Sequence, residues 1–281
     1  MKDTTARLQK VQLKIFIELK RIINKYDLTY FFVCVSMLGA KRHNGFIPWD
    51  DDLDVGMPRD DYDKLLNVLP TELPQEIKLQ TPYNDRYSAV LFAKLRLQGT
   101  KFIEASNKKS RSKFNQIFID IFPYDGCGND EKKARKHARK LIFYRKLINN
   151  SIYRGRFITK GFRKRVFQIL GRFITIFINP HYLIRKYNKL TKRYSFEESK
   201  YVINSHTNMK EFLSKEVLVK KDADTNFIFE GITINGVANP EAYLTSFYGD
   251  WRKLPEESKR GNYHNIIELD FGNHEAKEDK L

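Results

Sequence analysis

Cysteine is scarce: Cys34 and Cys127 are the only two in 281 residues. That number excludes a disulfide framework and the paired-thiol spacing of a zinc site. Both are read as reduced thiols, which favours a cytoplasmic compartment. Long apolar runs are missing too. The N-terminal segment VQLKIFIELKRII carries charges throughout and reads as neither a signal peptide nor a membrane span. The nearest approach elsewhere, VFQILGRFITIFI at 166–178, falls short of the ~18 uncharged residues of a span and contains Arg172. Internal repeats and low-complexity tracts are also absent, while 21 Phe and 15 Tyr argue for a packed globular chain.

Acidic residues are absent from one long stretch. Lys132 to Arg193 holds 20 Lys or Arg and no Asp or Glu, against a net charge of +17 for the whole chain, so the remainder sits near −3. The protein is a near-neutral body with a basic module in its middle. Large apolar residues interleave with these cations, as in FITIFI, which disfavours a groove that tracks nucleic acid. A lobe gripping an anionic glycan and a pair of helices on an anionic membrane surface both fit, the second better.

Local patterns divide the chain further. Leu8, Val11, Ile15, Leu19, Ile22 and Ile23 predict an amphipathic helix over 7–26. TYFFVCVS predicts a buried strand, MLGAKRHNGF a short helical turn, LDVGM a strand, and Pro58 opens a helix with Tyr62, Leu65, Leu66 and Leu69 inward. Strands are expected at 87–97 and at 115–126, the latter closed by Pro123 and Asp125-Gly126. Helical periodicity dominates 130–193, including a stripe of Phe162, Val166, Phe167 and Leu170. After it come a short helix at 196–203, a hairpin over FIFEGITINGV turning at Asn235-Gly236, and a helix opened by Pro240. The expected organisation is a catalytic core at 1–129, the basic module at 130–193, and a C-terminal part at 194–281 that completes the core.

The most unusual stretch is GFIPWDDDLDVGM at 45–57. In an extended chain Asp50, Asp52 and Asp54 share one face and Asp51 points away, where it would serve the loop. Converging carboxylates repel, and a hard divalent cation removes that penalty while leaving room for phosphate oxygens. Glycine and glutamate are not at the offsets of an EF-hand loop. Asp120, inside the apolar run IFIDIF, is the natural third carboxylate, because a buried lone carboxylate is costly unless paired or metal-bound. Lys41, Arg42, Lys94 and Arg96 are the cations expected around a phosphate.

With these residues in view, SMLGAKRHNGFIPWDDDLDVGMPRDDYDKLL at 36–66 resembles the signature of the LicD family, phosphorylcholine transferases related to fukutin and fukutin-related protein. FAKLR at 92–96, DIFPYDG at 120–126, YLTSFYGDWRKLP at 243–255 and the helix entering DLTYFF resemble it as well. The resemblance implies an α/β (α+β) fold: a nucleotidyltransferase-like mixed sheet with flanking helices, here with a basic helical insertion. It implies a Mg²⁺ site, with Mn²⁺ as the alternative, on Asp52, Asp54 and Asp120. It further implies transfer of a phospho-alcohol from a CDP-activated donor such as CDP-choline to a hydroxyl of a glycan or lipid-linked glycan, with release of CMP. Asp50 or Asp120 would orient or deprotonate the hydroxyl. An enzyme of this kind would sit peripherally at the inner face of the plasma membrane.

Ser36, Lys41, Arg42, Lys94, Arg96, Asp250 and His264 are the residues expected to bind substrate. Glu230 is a weaker candidate. One departure stands out: the family's Gly-Gly-Thr or Gly-Gly-Ser turn is Cys34-Val35-Ser36 here, and branched Val35 is expected to reshape the phosphate seat. Two other functions fit the residues less well: a nucleotidyltransferase acting with a nucleoside triphosphate on a small molecule or RNA, and a non-catalytic module for anionic lipid or nucleic acid.

Overall fold

The computed structural model describes residues 2–85, 87, 90–105, 112–152, 166, 169, 178–261 and 264–274. Among them a seven-stranded mixed sheet is flanked by helices. Its strands are β1 (Phe31–Phe32), β2 (Asp54–Pro58), β3 (Ile77–Gln80), β4 (Ala93–Leu97), β6 (Phe118–Gly128), β7 (Tyr201–Ile203) and β8 (Phe212–Ser214), while β5 (Lys101–Glu104) lies outside it. The order along the main path is β1-β2-β6-β4-β3, with β7 and β8 continuing from the far end of β6. Only β2 and β6 pair in parallel; the other pairs are antiparallel. Two small hairpin-like pairs stand apart, β9 (Asn226–Phe229) with β10 (Ile232–Asn235), and β5 with β11 (Ile266–Asp270).

Helix α1 (Lys2–Lys25) buries Leu8, Val11, Ile15, Leu19, Ile22 and Ile23, the face its periodicity predicts. It packs with α3 (Arg59–Glu72) on β6. Between them in sequence lies α2 (Cys34–His43). After β6 come α4 (Glu131–Ile152), α5 (Pro180–Thr191), α6 (Lys215–Leu218) and α7 (Pro240–Tyr248). Helices α4 and α5 pack on each other over a second core of Ala138, Leu141, Ile148, Leu183 and Tyr187. Helix α7 opens as predicted, with Pro240 in its first turn and the Asn239 side chain accepting the Ala242 N–H at 3.0 Å. No described helix is long and apolar enough to cross a membrane.

Several local expectations are overturned. The strand predicted over TYFFVCVS stops after two residues, because Cys34 takes a left-handed φ of 51° and turns the chain into α2, a ten-residue helix rather than a short turn. The third strand does not close at Pro123 or Asp125-Gly126 but runs on as β6 to Gly128. Pairing with β4 ends at Ile121 and pairing with β7 begins at Asp125. Pro123 therefore falls where one side of β6 has no neighbouring strand, the place a missing donor disturbs a ladder least.

Farther along, residues 201–203 form β7 rather than a helix, since Val202 and Ile203 complete the sheet against β6. The β9–β10 hairpin turns at Glu230-Gly231, both with positive φ (49° and 80°), not at Asn235-Gly236. Gly236 is instead a close-approach position, where a Cβ would meet the Phe227 ring at 2.6 Å. Among the described residues of the strand expected at 87–97, the strand β4 covers Ala93–Leu97. The predicted stripe of Phe162, Phe167 and Leu170 lies outside the described residues.

Candidate active site

The acidic loop is seated by glycine and glutamine. A Cβ on Gly39 of α2 would meet the Gly45 carbonyl oxygen at 2.5 Å, so the small residue lets the 45–53 loop lie against the helix. Glu230 accepts the Phe46 N–H at 2.9 Å and fills the space beside Gly45, which gives it a structural role in holding this loop. Two buried side chains of α1 fix the rest. Gln9 donates to the Ile47 and Asp50 carbonyls, both at 2.9 Å, and Gln12 donates to those of Asp51 (2.9 Å) and Phe118 (3.3 Å). Sequence reasoning missed this pair. Their signal was available: two amides three residues apart on the apolar face of an amphipathic helix need internal partners.

Strand register then lines up the chemistry. Asp54 of β2 stands opposite Asp120 of β6, and Asp120 opposite Lys94 of β4. The three residues form one row across the sheet. Lys94 Nζ lies 2.7 Å from one Asp120 oxygen and 3.0 Å from the other, and 3.6 Å from the centre of the Phe118 ring. Ser36, in the first turn of α2, accepts the Asp54 N–H at 2.8 Å, which pins the start of β2 to the helix.

Beside this row, oxygens of Asp50, Asp51 and Asp52 all lie within 4.8 Å of one another, the one such group among the described residues. Asp50 and Asp51 are buried and Asp52 half-buried. The sequence expectation of a metal on Asp52, Asp54 and Asp120 thus meets a neighbouring, tighter trio, and Asp52 belongs to both. Burial raises Asp52 to about 6, with His264 opposing and Asp120 and Asp51 adding to the rise. Burial also raises Asp54 well above the usual carboxylate range, followed by the charges of Asp52, Asp120 and Asp50. Asp50 rises for the same reason, with Asp52 and Asp51 as its neighbours. A buried carboxylate cluster of this kind can coordinate a divalent cation, and its mutual repulsion is what such an ion relieves.

His264 is the clearest gain over sequence. Its Nδ1 is 2.7 Å from Asp51, its backbone N–H donates to the same carboxylate at 3.2 Å, and its Nε2 is 3.7 Å from Asp52. Burial alone would lower its pKa, but the hydrogen bond to Asp51 and the charges of Asp52 and Asp51 outweigh it and raise the imidazole to about 9. Asp51 is therefore not turned into solvent; it holds a histidinium against the cluster.

The remaining predicted residues are spread more widely. Arg96 spends its donors on Gln80 (2.6 Å) and the Gln116 carbonyl (2.5 Å), and burial lowers its pKa to about 10. Lys41 and Arg42 occupy the last turn of α2, Lys41 4.0 Å from Glu241 and Arg42 bonded to the Trp251 carbonyl at 2.7 Å. Asp250 is exposed beyond α7. Val35 packs against the core, and the conformation that favours glycine belongs to Cys34 instead. A buried network lies under that turn: the Cys34 N–H donates to Tyr243 Oη at 3.0 Å, and Tyr124 Oη donates to Glu211 at 2.6 Å. Burial pushes Glu211 up to about 8, although hydrogen bonds from Tyr124, Cys34 and Thr207 oppose the rise.

A pH-dependent effect of metal follows. A carboxyl whose folded pKa is raised favours the protonated fold, so its contribution to stability is lost as pH climbs from about 4 through about 6, the window set by Asp52. His264 acts later, between 6.5 and about 9. In chelator, the melting temperature is expected to fall between pH 5 and pH 7. Millimolar Mg²⁺ should raise it several degrees more at pH 7 than at pH 5; equal shifts at both would count against the cluster as the binding site.

A mixed sheet that sets carboxylates of adjacent strands beside an acidic loop able to coordinate a divalent cation is consistent with a nucleotidyltransferase-type domain. Residues 27–156 match the family model described as LicD/FKTN/FKRP, nucleotidyltransferase domain. The chain is also similar to the lipopolysaccharide cholinephosphotransferase LicD of Haemophilus influenzae, 29% identical over 94% of this chain and 97% of that protein. An uncharacterized protein of Rickettsia prowazekii is 35% identical over 22% of this chain and 24% of its own length. Residues 27–156 thus carry a LicD-family nucleotidyltransferase domain, within a chain similar along nearly its whole length to that cholinephosphotransferase.

Proposed function

We propose that this protein transfers a phospho-alcohol, phosphocholine in the first instance, from a CDP-activated donor to a hydroxyl of a cell-surface glycan precursor, releasing CMP. The observation that carries this reading is the row of Asp54, Asp120 and Lys94 across β2, β6 and β4, flanked by the Asp50–Asp52 cluster. The similarity to a cholinephosphotransferase along nearly its whole length supports this donor class.

Asp52, Asp54 and Asp120 would hold Mg²⁺, with Asp50 and Asp51 close enough to share it or a second ion. When bound, the cation supplies charge neutralisation for the diphosphate and for the leaving CMP. In the reaction the acceptor oxygen forms a bond to the distal phosphorus, the bond from that phosphorus to the CMP oxygen breaks, and the hydroxyl proton passes to a carboxylate. Asp50 is suited to take it, since burial and its neighbours raise its proton affinity. Asp120 is paired with Lys94 at 2.7 Å, a position that suits a ligand better than a base. Lys94 and the His264 imidazolium place two positive charges around the carboxylates, where a phosphoryl group would need them. Ser36, whose oxygen accepts the Asp54 N–H, would donate its hydroxyl proton to a phosphate oxygen. Arg42 and Asp250 would act farther out, on the rest of the donor or acceptor.

The acceptor would be lipid-linked, and the protein would work at the inner membrane face. The test is CMP release by purified protein with Mg²⁺, offered CDP-choline, CDP-ribitol, CDP-glycerol, CTP or ATP, with and without a membrane extract. Release from a CDP-alcohol, stimulated by extract, is expected. Turnover of CTP or ATP with none of the CDP-alcohols would instead favour the nucleoside-triphosphate reading.

A further inference from the structure

We infer that a cavity between α4 and α5 holds the phosphate diester of an anionic membrane-lipid headgroup. This deepens the placement of the protein at a membrane surface and rests on that reading. The cavity has a volume of about 630 Å³ and is lined by Lys140 and Tyr144 of α4 and by Lys186, Lys189, Lys192 and Arg193 of α5 and the residues just after it. Five cations thus surround one space, and no carboxylate is among its described lining residues.

Sequence spacing builds it. Lys140 and Tyr144 are four apart and share a face of α4, while Lys186, Lys189 and Arg193 follow at intervals of three and four. The two helices pack through their apolar stripes, which leaves these two faces side by side at the margin of the contact. Cations in the last turn of a helix complement its dipole, which accounts for Lys189 and its neighbours but not for Lys140, contributed by the other helix. Among the described residues Lys192 is paired with Asp63 at 2.8 Å, and Lys140, Lys186, Lys189 and Arg193 have no carboxylate partner. Four uncompensated positive charges converging on a cavity call for an anion from outside.

The apolar surroundings select a lipid over a free anion. Two large aromatic side chains stand out on the same helices, Phe143 at 47% and Tyr182 at 46% exposure. Phe143 lies against the Tyr144 ring (6.0 Å between centroids), and Lys186 Nζ lies 5.4 Å from the Tyr182 ring centre, so each exposed ring neighbours a residue that lines the cavity. Exposed aromatics flanked by lysines suit the headgroup layer, where the ring enters the acyl boundary and the ammonium meets phosphate. The absence of acidic residues from Lys132 to Arg193 removes the repulsion that would oppose this approach.

The test is co-sedimentation of the full-length protein with vesicles of phosphatidylcholine alone or with 30% phosphatidylglycerol. Two triple variants are compared, K140Q/K186Q/K189Q at the cavity and K10Q/K220Q/K221Q at exposed lysines elsewhere. Binding to the mixed vesicles is expected to weaken roughly a hundredfold in the cavity variant and only a few-fold in the control. D52N should sediment like the wild type, so loss of transfer and loss of lipid binding are separate failures. Circular dichroism checks that both triple variants fold.

Equal losses in the two triple variants, or no preference for anionic vesicles, would overturn the assignment. So would cavity-dependent binding of sn-glycerol 3-phosphate or a single-stranded oligonucleotide that matches the affinity for vesicles.

Discussion

D52N and D54N each lower CMP release from the CDP-alcohol by roughly a thousandfold while the protein stays folded and, in chelator, becomes more stable; that is the expected result. The reason lies in the arrangement of charge. Asp54 is buried and Asp52 half-buried beside Asp50 and Asp120, and Asp50, Asp52 and Asp54 are pushed above the ordinary carboxylate range. In the absence of a cation they oppose folding, and neutralising one of them removes on the order of 1–3 kcal/mol of that opposition. The same change removes a ligand, so stabilisation by Mg²⁺ should shrink in parallel with activity. Activity assays and thermal unfolding in EDTA and in Mg²⁺ read both halves. A variant that unfolds would make the carboxylate structural, and one that keeps full turnover would remove it from the chemistry.

The largest effect on stability is expected at a different carboxylate. Asp125 is completely buried, and Arg59, the first residue of α3, reaches it at 2.6 Å. Burial raises the Asp125 pKa and the Arg59 charge and hydrogen bond lower it again, so the pair depends on its partner. R59M should destabilise by about 3–5 kcal/mol, because an unpaired charge is left inside. R59M/D125L should recover most of that loss, since well-packed apolar residues often replace a buried ion pair at little cost. Denaturant unfolding of the two variants decides the matter: a loss below about 1 kcal/mol in R59M, or no recovery in the double variant, would mean that the pair is not what holds α3 to β6.

These two aspartates show where sequence reading succeeded and where it stopped. Asp120 stood out because a carboxylate in IFIDIF has apolar residues on both sides. Asp125 lies in the same strand five residues on, but beside Pro123 and Gly126 it looked like a turn. Only the pairing of β6 with β2 and then β7 shows that the strand continues and that Asp125 needs Arg59. A similar limit applies to the hairpin at 226–235. Asn-Gly is a strong turn signal, yet the turn formed at Glu230-Gly231, because Glu230 is also needed at the Phe46 N–H and its backbone N–H bonds the Asn44 carbonyl.

Taken by itself, the sequence determined the amphipathic face of α1, the unbroken run of basic charge from Lys132 to Arg193, the acidic run and the apolar setting of Asp120, and the resemblance to the LicD family. Each of these is written in residue type and short-range spacing, which survive without coordinates. Tertiary structure alone decided that Asp51 faces His264 rather than solvent, that Gln9 and Gln12 hold the acidic loop, that Arg96 is committed to Gln80, and that Lys140 joins the lysines of α5 around one cavity. Those contacts join residues up to 213 positions apart. Local propensity carries no information about such pairs; register across the sheet and the packing of helices on it bring them together.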